Sequence, residues 1–172
     1  RGVAKVLASA GYALTGFDGL VHSTVPFGSG LSSSAALEMA TAVLFSQLGG
    51  WTLDPVEMAL LGQRAENTFV GVNCGILDQY SSALGQAGTA LLLDCRHLTS
   101  RTSAIASGIQ PVICDTRFKR ELTGSEYGDR RAQCEEGARL LGVPALRDAT
   151  LDLLAQHTAD LTPVVAKRWT TW

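Results

Sequence analysis

Apolar positions fall at helical spacing in the first ten residues, where Val3, Leu7 and Ala10 mark a short helix that Gly11 ends. From Phe17 to Val25 the pattern changes to an alternation of apolar and small polar residues, which predicts a strand. An alanine-rich helix follows from about Ser33 to Leu48, stopped by Gly49-Gly50. Asp54-Pro55-Val56-Glu57 predicts the next helix start: Asp caps, Pro takes the first helical position, and Glu stands three residues after the cap. That helix is expected to run to about Thr68. Gly71 and Gly75 then break the chain before a helical run over about Leu77 to Leu84. Thr89 to Cys95 and Gln110 to Asp115 are continuous apolar runs with strand character. Ser125 is expected to cap a long amphipathic helix to Leu141, with Gly142 just past its end, and the tail from Leu146 to Trp172 reads as two short helices. Helices mixed with strands, without repeats or low-complexity linkers, indicate an α+β or α/β chain, with its division between Cys95 and Gln110.

The join between the first strand-like run and the alanine-rich helix is the segment richest in candidate chemistry. It reads Pro26-Phe27-Gly28-Ser29-Gly30-Leu31-Ser32-Ser33-Ser34-Ala35. Glycines allow a tight turn and close approach of the backbone to a ligand. The serines stand where a helix begins, and the first N–H groups of a helix lack internal partners and carry the positive end of its dipole. That combination favours a phosphate. It is not a Walker A loop, because no Gly-Lys-Ser/Thr follows the glycines. A glycine-serine turn capping an ordinary helix has the same residues, and both readings stand at this point.

Composition narrows the field. A chain of 172 residues with 46% hydrophobic and 17% charged content has the material for a core of one or two domains and is not of the disordered class. The net charge of −2 gives no electrostatic reason for a nucleic-acid partner or an anionic membrane. Basic residues cluster only at Arg117–Arg120 and Arg130–Arg131. No apolar run approaches the roughly 20 residues that span a bilayer, and the chain shows no signal peptide; it opens at Arg1 without a methionine, as a fragment would. Cys74, Cys95, Cys114 and Cys134 lie about 20 residues apart without a C-x-x-C pair, a poor pattern for zinc and a sparse one for disulfides. Buried free thiols in a reducing cytoplasm are expected.

A second unusual segment is Gly71-Val72-Asn73-Cys74-Gly75-Ile76-Leu77-Asp78-Gln79. Asp78 follows two glycines and is flanked by apolar residues. It suits a base or charge stabiliser at a pocket mouth, and equally a helix N-terminal charge held by the dipole. Glu66 lies 12 residues earlier on the capped helix. With a serine hydroxyl it would offer Mg²⁺ the hard oxygens that ion prefers; on its own it also reads as a solvated helix charge.

Taken together these residues resemble a known family. Pro-Phe-Gly-Ser-Gly-Leu-Ser-Ser-Ser-Ala (26–35) is similar to the phosphate-binding motif of the GHMP small-molecule kinases. Arg-Ala-Glu-Asn-Thr-Phe-Val-Gly-Val-Asn-Cys-Gly-Ile-Leu-Asp-Gln-Tyr (64–80) resembles the galactokinases among them, as does the later run from Lys119 to Glu136. The likeness covers about Arg1 to Lys167 in order and spacing. It implies that Gly28, Ser29, Gly30, Leu31, Ser32, Ser33 and Ser34 wrap the phosphates of ATP, and that Ser34 and Glu66 hold Mg²⁺. It implies that Asp78 acts on the anomeric hydroxyl of galactose, and that Gly75, Asp78 and Tyr127 lie against the sugar. The implied reaction moves the γ-phosphoryl group of ATP to galactose, by positioning and charge stabilisation. The implied fold is an α+β N-terminal domain over 1–100, with a left-handed βαβ crossover against the usual hand. The start of a ferredoxin-like C-terminal domain follows over 101–172. A cytoplasmic location accompanies it.

The same likeness marks departures. The family's first motif, an arginine near the base and a Glu-His-x-Asp that holds the sugar, belongs before Arg1, and its third, glycine-rich motif belongs beyond Trp172. The chain is therefore expected to be a middle segment or a truncated relative, inactive alone and prone to self-association through the exposed edges of a truncated fold. Two other functions fit the same residues: a non-catalytic sensor of sugar and ATP, and a kinase of another sugar such as N-acetylgalactosamine.

Overall fold

The computed structural model describes residues 1–114, 126–157 and 162–165. The chain forms two compact units, Arg1–Glu121 and Leu122–Trp172. A line drawn at 100/101 would pass through a strand of the first unit.

In the first unit, α1 (Gly2–Ser9) buries Val3, Val6 and Leu7, the stripe its apolar spacing predicts. Gly11 follows with φ +92, a left-handed value that ends the helix. Helix α2 (Ser33–Gly49) ends at Gly50 in the same conformation, φ +67. Helix α3 (Pro55–Ala65) starts as its sequence requires. Asp54 Oδ1 accepts from the N–H groups of Val56 at 2.9 Å and Glu57 at 3.1 Å, and Pro55 stands at the first position. Glu57 does not reach back to the cap; its carboxylate instead accepts the Tyr12 hydroxyl at 2.9 Å.

The continuation to Thr68 takes a wider form than an α-helix. Glu66–Val70 is a π-helical turn, closed by the Gly71 N–H donating to the Glu66 carbonyl at 3.0 Å, and Gly71 ends it with φ +86. Helix α4 (Leu77–Leu84) follows. Strands β1 (Thr89–Asp94) and β2 (Thr99–Ala104) form an antiparallel hairpin, with Thr89 opposite Ala104 and Asp94 opposite Thr99.

The strand reading fails in two segments and misses a third. Phe17 to Val25 joins no ladder, and most of it is exposed, because no described segment pairs with it. Residues 110–114 of the run Gln110 to Asp115 are likewise not a strand, and Asp115 lies outside the described residues. In its place β2, Thr-Ser-Arg-Thr-Ser-Ala, pairs with β1 although every one of its residues is exposed. The left-handed βαβ crossover requires parallel strands; the described residues contain only this antiparallel pair.

The core of the first unit lies among α1, α2 and α3, where Val6, Leu7, Met39, Phe45, Met58 and Leu61 meet. Burying Leu7 completely contributes about 2 kcal/mol. A second cluster of Ala59, Ile76 and Tyr80 carries Leu91 and Leu93 of the hairpin. The Tyr80 hydroxyl donates to the Leu98 carbonyl at 3.0 Å and lies 3.1 Å from Ser100 Oγ, so the hairpin is bolted to α4. Ahead of the serine loop, Trp51 Nε1 donates to the Ala13 carbonyl at 3.0 Å, and Phe17 meets Phe45 edge to face at 5.6 Å. Those contacts fix the chain as far as Phe17.

In the second unit, α5 (Glu126–Leu140) is followed by Gly142 at φ +65, a 3₁₀ turn at Leu146–Asp148, α6 (Leu151–His157) and a helical turn at 163–165. Ala138, Leu141 and Val165 are buried. The expected cap Ser125 and the basic cluster at Arg117–Arg120 lie outside the described residues. The described part of this unit is helical, and its ferredoxin-like arrangement stays a proposal. Among the described residues no helix is long and apolar enough to cross a membrane. The four cysteines are free thiols, but none is buried as expected: Cys95 and Cys114 are exposed, and Cys74 and Cys134 are half-buried.

Candidate functional site

The serine loop adopts a backbone that its sequence explains. Gly28 takes φ +69 and Gly30 φ +77, and a Cβ at either would meet nothing within 4 Å. Glycine is required there by conformation and not by crowding. Ser32, the residue before α2, is also left-handed, with φ 56 and ψ 43. Such a conformation costs a non-glycine residue about 1–2 kcal/mol. Ser32 makes no side-chain capping bond to the first turn of α2. Its carbonyl opens the helix instead, accepting the Ala36 N–H at 3.0 Å, and the Ser29 hydroxyl donates to the Pro26 carbonyl at 2.9 Å. The alternative reading of an ordinary serine-capped helix therefore loses its main feature. What stands at the head of α2 is a helix N-terminus without a side-chain cap, presented by an exposed turn. Ser33 and Ser34 lie in its first turn, both half-buried.

Glu66 is not a solvated helix charge. It is 6% exposed, and it is joined by two buried polar residues that the sequence analysis did not single out. Gln79 Nε2 donates to Glu66 Oε2 and to Glu38 Oε2, both at 3.0 Å. Glu38 comes from α2, Glu66 from the end of α3, and Gln79 from α4. Gly62 packs beside the junction: a Cβ there would displace the Met39 methyl and crowd Gln79 Cγ at 3.3 Å. Burial pushes the Glu38 carboxyl up to about 7; the Gln79 amide opposes the rise and the Glu66 carboxylate adds to it. Burial also pushes the adjoining Cys74 thiol up, with the Glu66 charge adding to it. Gln79 Oε1 is buried without a hydrogen-bond partner, which costs about 1–3 kcal/mol.

A signal for Glu38 was present in the sequence. It is the only charged residue between Ser29 and Gly50, and it falls in step with the buried Ala35, Met39 and Ala42.

Asp78 and Gln79 are neighbours in the first turn of α4 and face opposite ways. Gln79 is buried, whereas Asp78 is exposed and has no hydrogen bond or ion pair among the described residues. Gly75 is exposed just before the same helix. The loop leading to it is fixed by the Cys74 N–H, which donates to Asn67 Oδ1 at 3.0 Å, and by Gln63 Nε2, which donates to the Cys74 carbonyl at 3.2 Å. Tyr127 belongs to α5 in the second unit, and its side chain lies outside the described residues.

Among the described residues no group of three or more His, Cys, Asp and Glu side chains could hold a metal alone. A hydroxyl and a single carboxylate, Ser34 and Glu66, are a donor set of the kind Mg²⁺ accepts when phosphates and waters complete its shell.

The first half of the chain, residues 1–86, matches the GHMP kinases N terminal domain. Among solved structures the chain is similar to the galactokinase of Lactococcus lactis, whose crystal structure is complexed with galactose. The TM-score is 0.83 and the identity 29%, over 98% of this chain and 45% of that one. The chain thus spans less than half the length of that relative. The uncapped glycine-serine loop, the three helices packed behind it and the match over residues 1–86 agree: the chain belongs to the GHMP kinases, with their N-terminal domain in its first half.

Proposed function

We propose that this chain carries the phosphate-binding and proton-accepting parts of an ATP-dependent sugar kinase, and that the sugar is galactose. One observation carries the reading: the base candidate, the metal carboxylate and the helix behind the phosphate loop are joined through Gln79, the neighbour of Asp78. Three functions that phosphoryl transfer must hold together thus rest on three helices in contact.

In this reading the N–H groups at the head of α2, with Gly28 to Ser34, receive the phosphates of ATP. Ser34 and Glu66 hold Mg²⁺. Held there, the ion would supply positive charge against the charge that develops on the phosphate oxygens. Asp78 accepts the proton of the anomeric hydroxyl as that oxygen bonds to the γ-phosphorus. The bond from the γ-phosphorus to the bridging oxygen breaks, and ADP leaves with its electron pair. Galactose is favoured because the Lactococcus lactis relative is described in complex with it. Gly75, next to the base, is assigned to the same sugar. Tyr127 stays a proposed sugar contact on family resemblance alone.

The test is to incubate the full-length natural protein with MgATP and a panel of hexoses, and to identify the products. Galactose 1-phosphate is the expected product. A preference for N-acetylgalactosamine would move the substrate, and binding of sugar and ATP without turnover would replace the kinase by a sensor.

A further inference from the structure

Gln79 takes no part in the chemistry assigned above, yet it is 1% exposed and holds the only buried side-chain oxygen or nitrogen without a partner among the described residues. Its amide nitrogen has two N–H groups, and each finds a carboxylate oxygen at 3.0 Å. Turning the amide over would leave the Glu66 carboxylate without its donor and aim a carbonyl at it. The unpartnered Oε1 is therefore the consequence of keeping both N–H groups on Glu38 and Glu66. A side chain present for packing alone has no reason to leave a carbonyl buried and unpaired, since an apolar residue of similar volume would fill the space.

We propose that Gln79 is a positioning residue, which fixes the Glu66 carboxylate against α2 and so sets the metal ligand relative to the phosphate loop and to Asp78. Glu38 is the other end of the clamp. Without the amide, Glu66 loses the donor that ties it to α4, and its carboxylate turns away from its place. Partners of this kind behind a metal ligand affect affinity for the ion by 10–100-fold when removed. The inference rests on Glu66 being the metal carboxylate of the proposed kinase.

The experiment uses the full-length protein and titrates Mn²⁺, followed by its electron paramagnetic resonance, in the presence of a non-hydrolysable ATP analogue. Gln79→Leu is expected to raise the Mn²⁺ dissociation constant about tenfold or more, with galactose affinity unchanged. The exchange variant Glu38→Gln/Gln79→Glu restores the same groups with the amide on α2, where it still reaches both carboxylates. It is expected to return the affinity to within about threefold of the parent. Gln79→Leu with the parent's affinity overturns the proposal. So does an exchange variant no better than Gln79→Leu, and that arm decides the matter if Gln79→Leu does not fold. A parent protein that binds no Mn²⁺ with the nucleotide analogue overturns the kinase reading itself, and this inference with it.

Discussion

The loop from Pro26 to Ser34 and the cluster around Gln79 are built on opposite plans. The loop is made of backbone. Its shape comes from the sign of φ at Gly28, Gly30 and Ser32, most of its residues are exposed, and Phe27 just ahead of the glycines is 77% exposed. The cluster is made of side chains. Glu38, Glu66 and Gln79 are all buried, and each depends on the others for its hydrogen bonds. A site that offers N–H groups to a phosphate requires only that the helix begin there with its donors uncapped. A site that holds a carboxylate still requires walls. On the proposed reading the two plans fail differently: damage to the loop is felt in binding, and damage to the cluster in folding as well.

Three substitutions press on that difference. The largest effect is expected at Asp78, which lies beside the cluster in sequence but shares the loop's exposure. Asp78→Asn should lower kcat of the full-length protein by about 10² or more. The thermal midpoint and the affinity for ATP should stay at the parent's values, because the Asp78 carboxylate bonds to nothing among the described residues. A variant that keeps most of its kcat returns Asp78 to the role of a helix-dipole charge.

Gly30→Ala comes next. Gly30 lies in an exposed turn with open space around it, so in the free protein the alanine is expected to relax out of the left-handed region and leave the thermal midpoint close to the parent's. The nucleotide must then restore the φ of +77, at about 1–2 kcal/mol, and its dissociation constant should rise about tenfold. Isothermal titration with the ATP analogue measures it. A large fall in thermal midpoint with unchanged affinity would reverse the comparison.

The third effect is a slope. The carboxyl of Glu38 titrates near 4.5 when unfolded and near 7 when folded. Between those values the folded chain binds the extra proton, so this group makes stability fall as pH rises through the window. Glu38→Gln should remove that part of the fall. Denaturant midpoints of variant and parent should lie close at pH 4 and diverge by pH 8, in the variant's favour. Parallel pH curves would show that Glu38 is ionised in the core throughout.

What the sequence made legible follows the same division. Helices α1 to α4 and strand β1 fall where spacing, the Asp54 cap and the glycines predict them, because each has a local signal. The loop was legible for the same reason: its glycines and serines carry their own conformational meaning. Strand β2 was not. Thr99-Ser100-Arg101-Thr102-Ser103-Ala104 has no buried face, so no hydrophobic alternation marks it, and it is held by its ladder with β1. The run Phe17 to Val25 errs in the other direction. It has the alternation, but a strand exists only with a partner, and no described segment supplies one. Glu66 was assigned to the metal by likeness, whereas its burial and its two companions are facts of packing among three helices. The helical step linking Glu38 to Met39 and Ala42 was the one local trace of them.

The bond between Tyr80 and the hairpin turn has a consequence for motion. Leu98 holds a left-handed φ of 52 at the end of that turn, and its carbonyl is the acceptor of the Tyr80 hydroxyl. An isolated two-stranded hairpin is marginal in water and frays quickly. Here, opening the turn also unseats the first turn of α4, one residue beyond Gln79 and two beyond Asp78. The hairpin and the helix are therefore expected to open together, so that the β2 amide protons bonded to β1 exchange with solvent only as often as that helix lets go, whereas those on the open edge of β2 exchange freely.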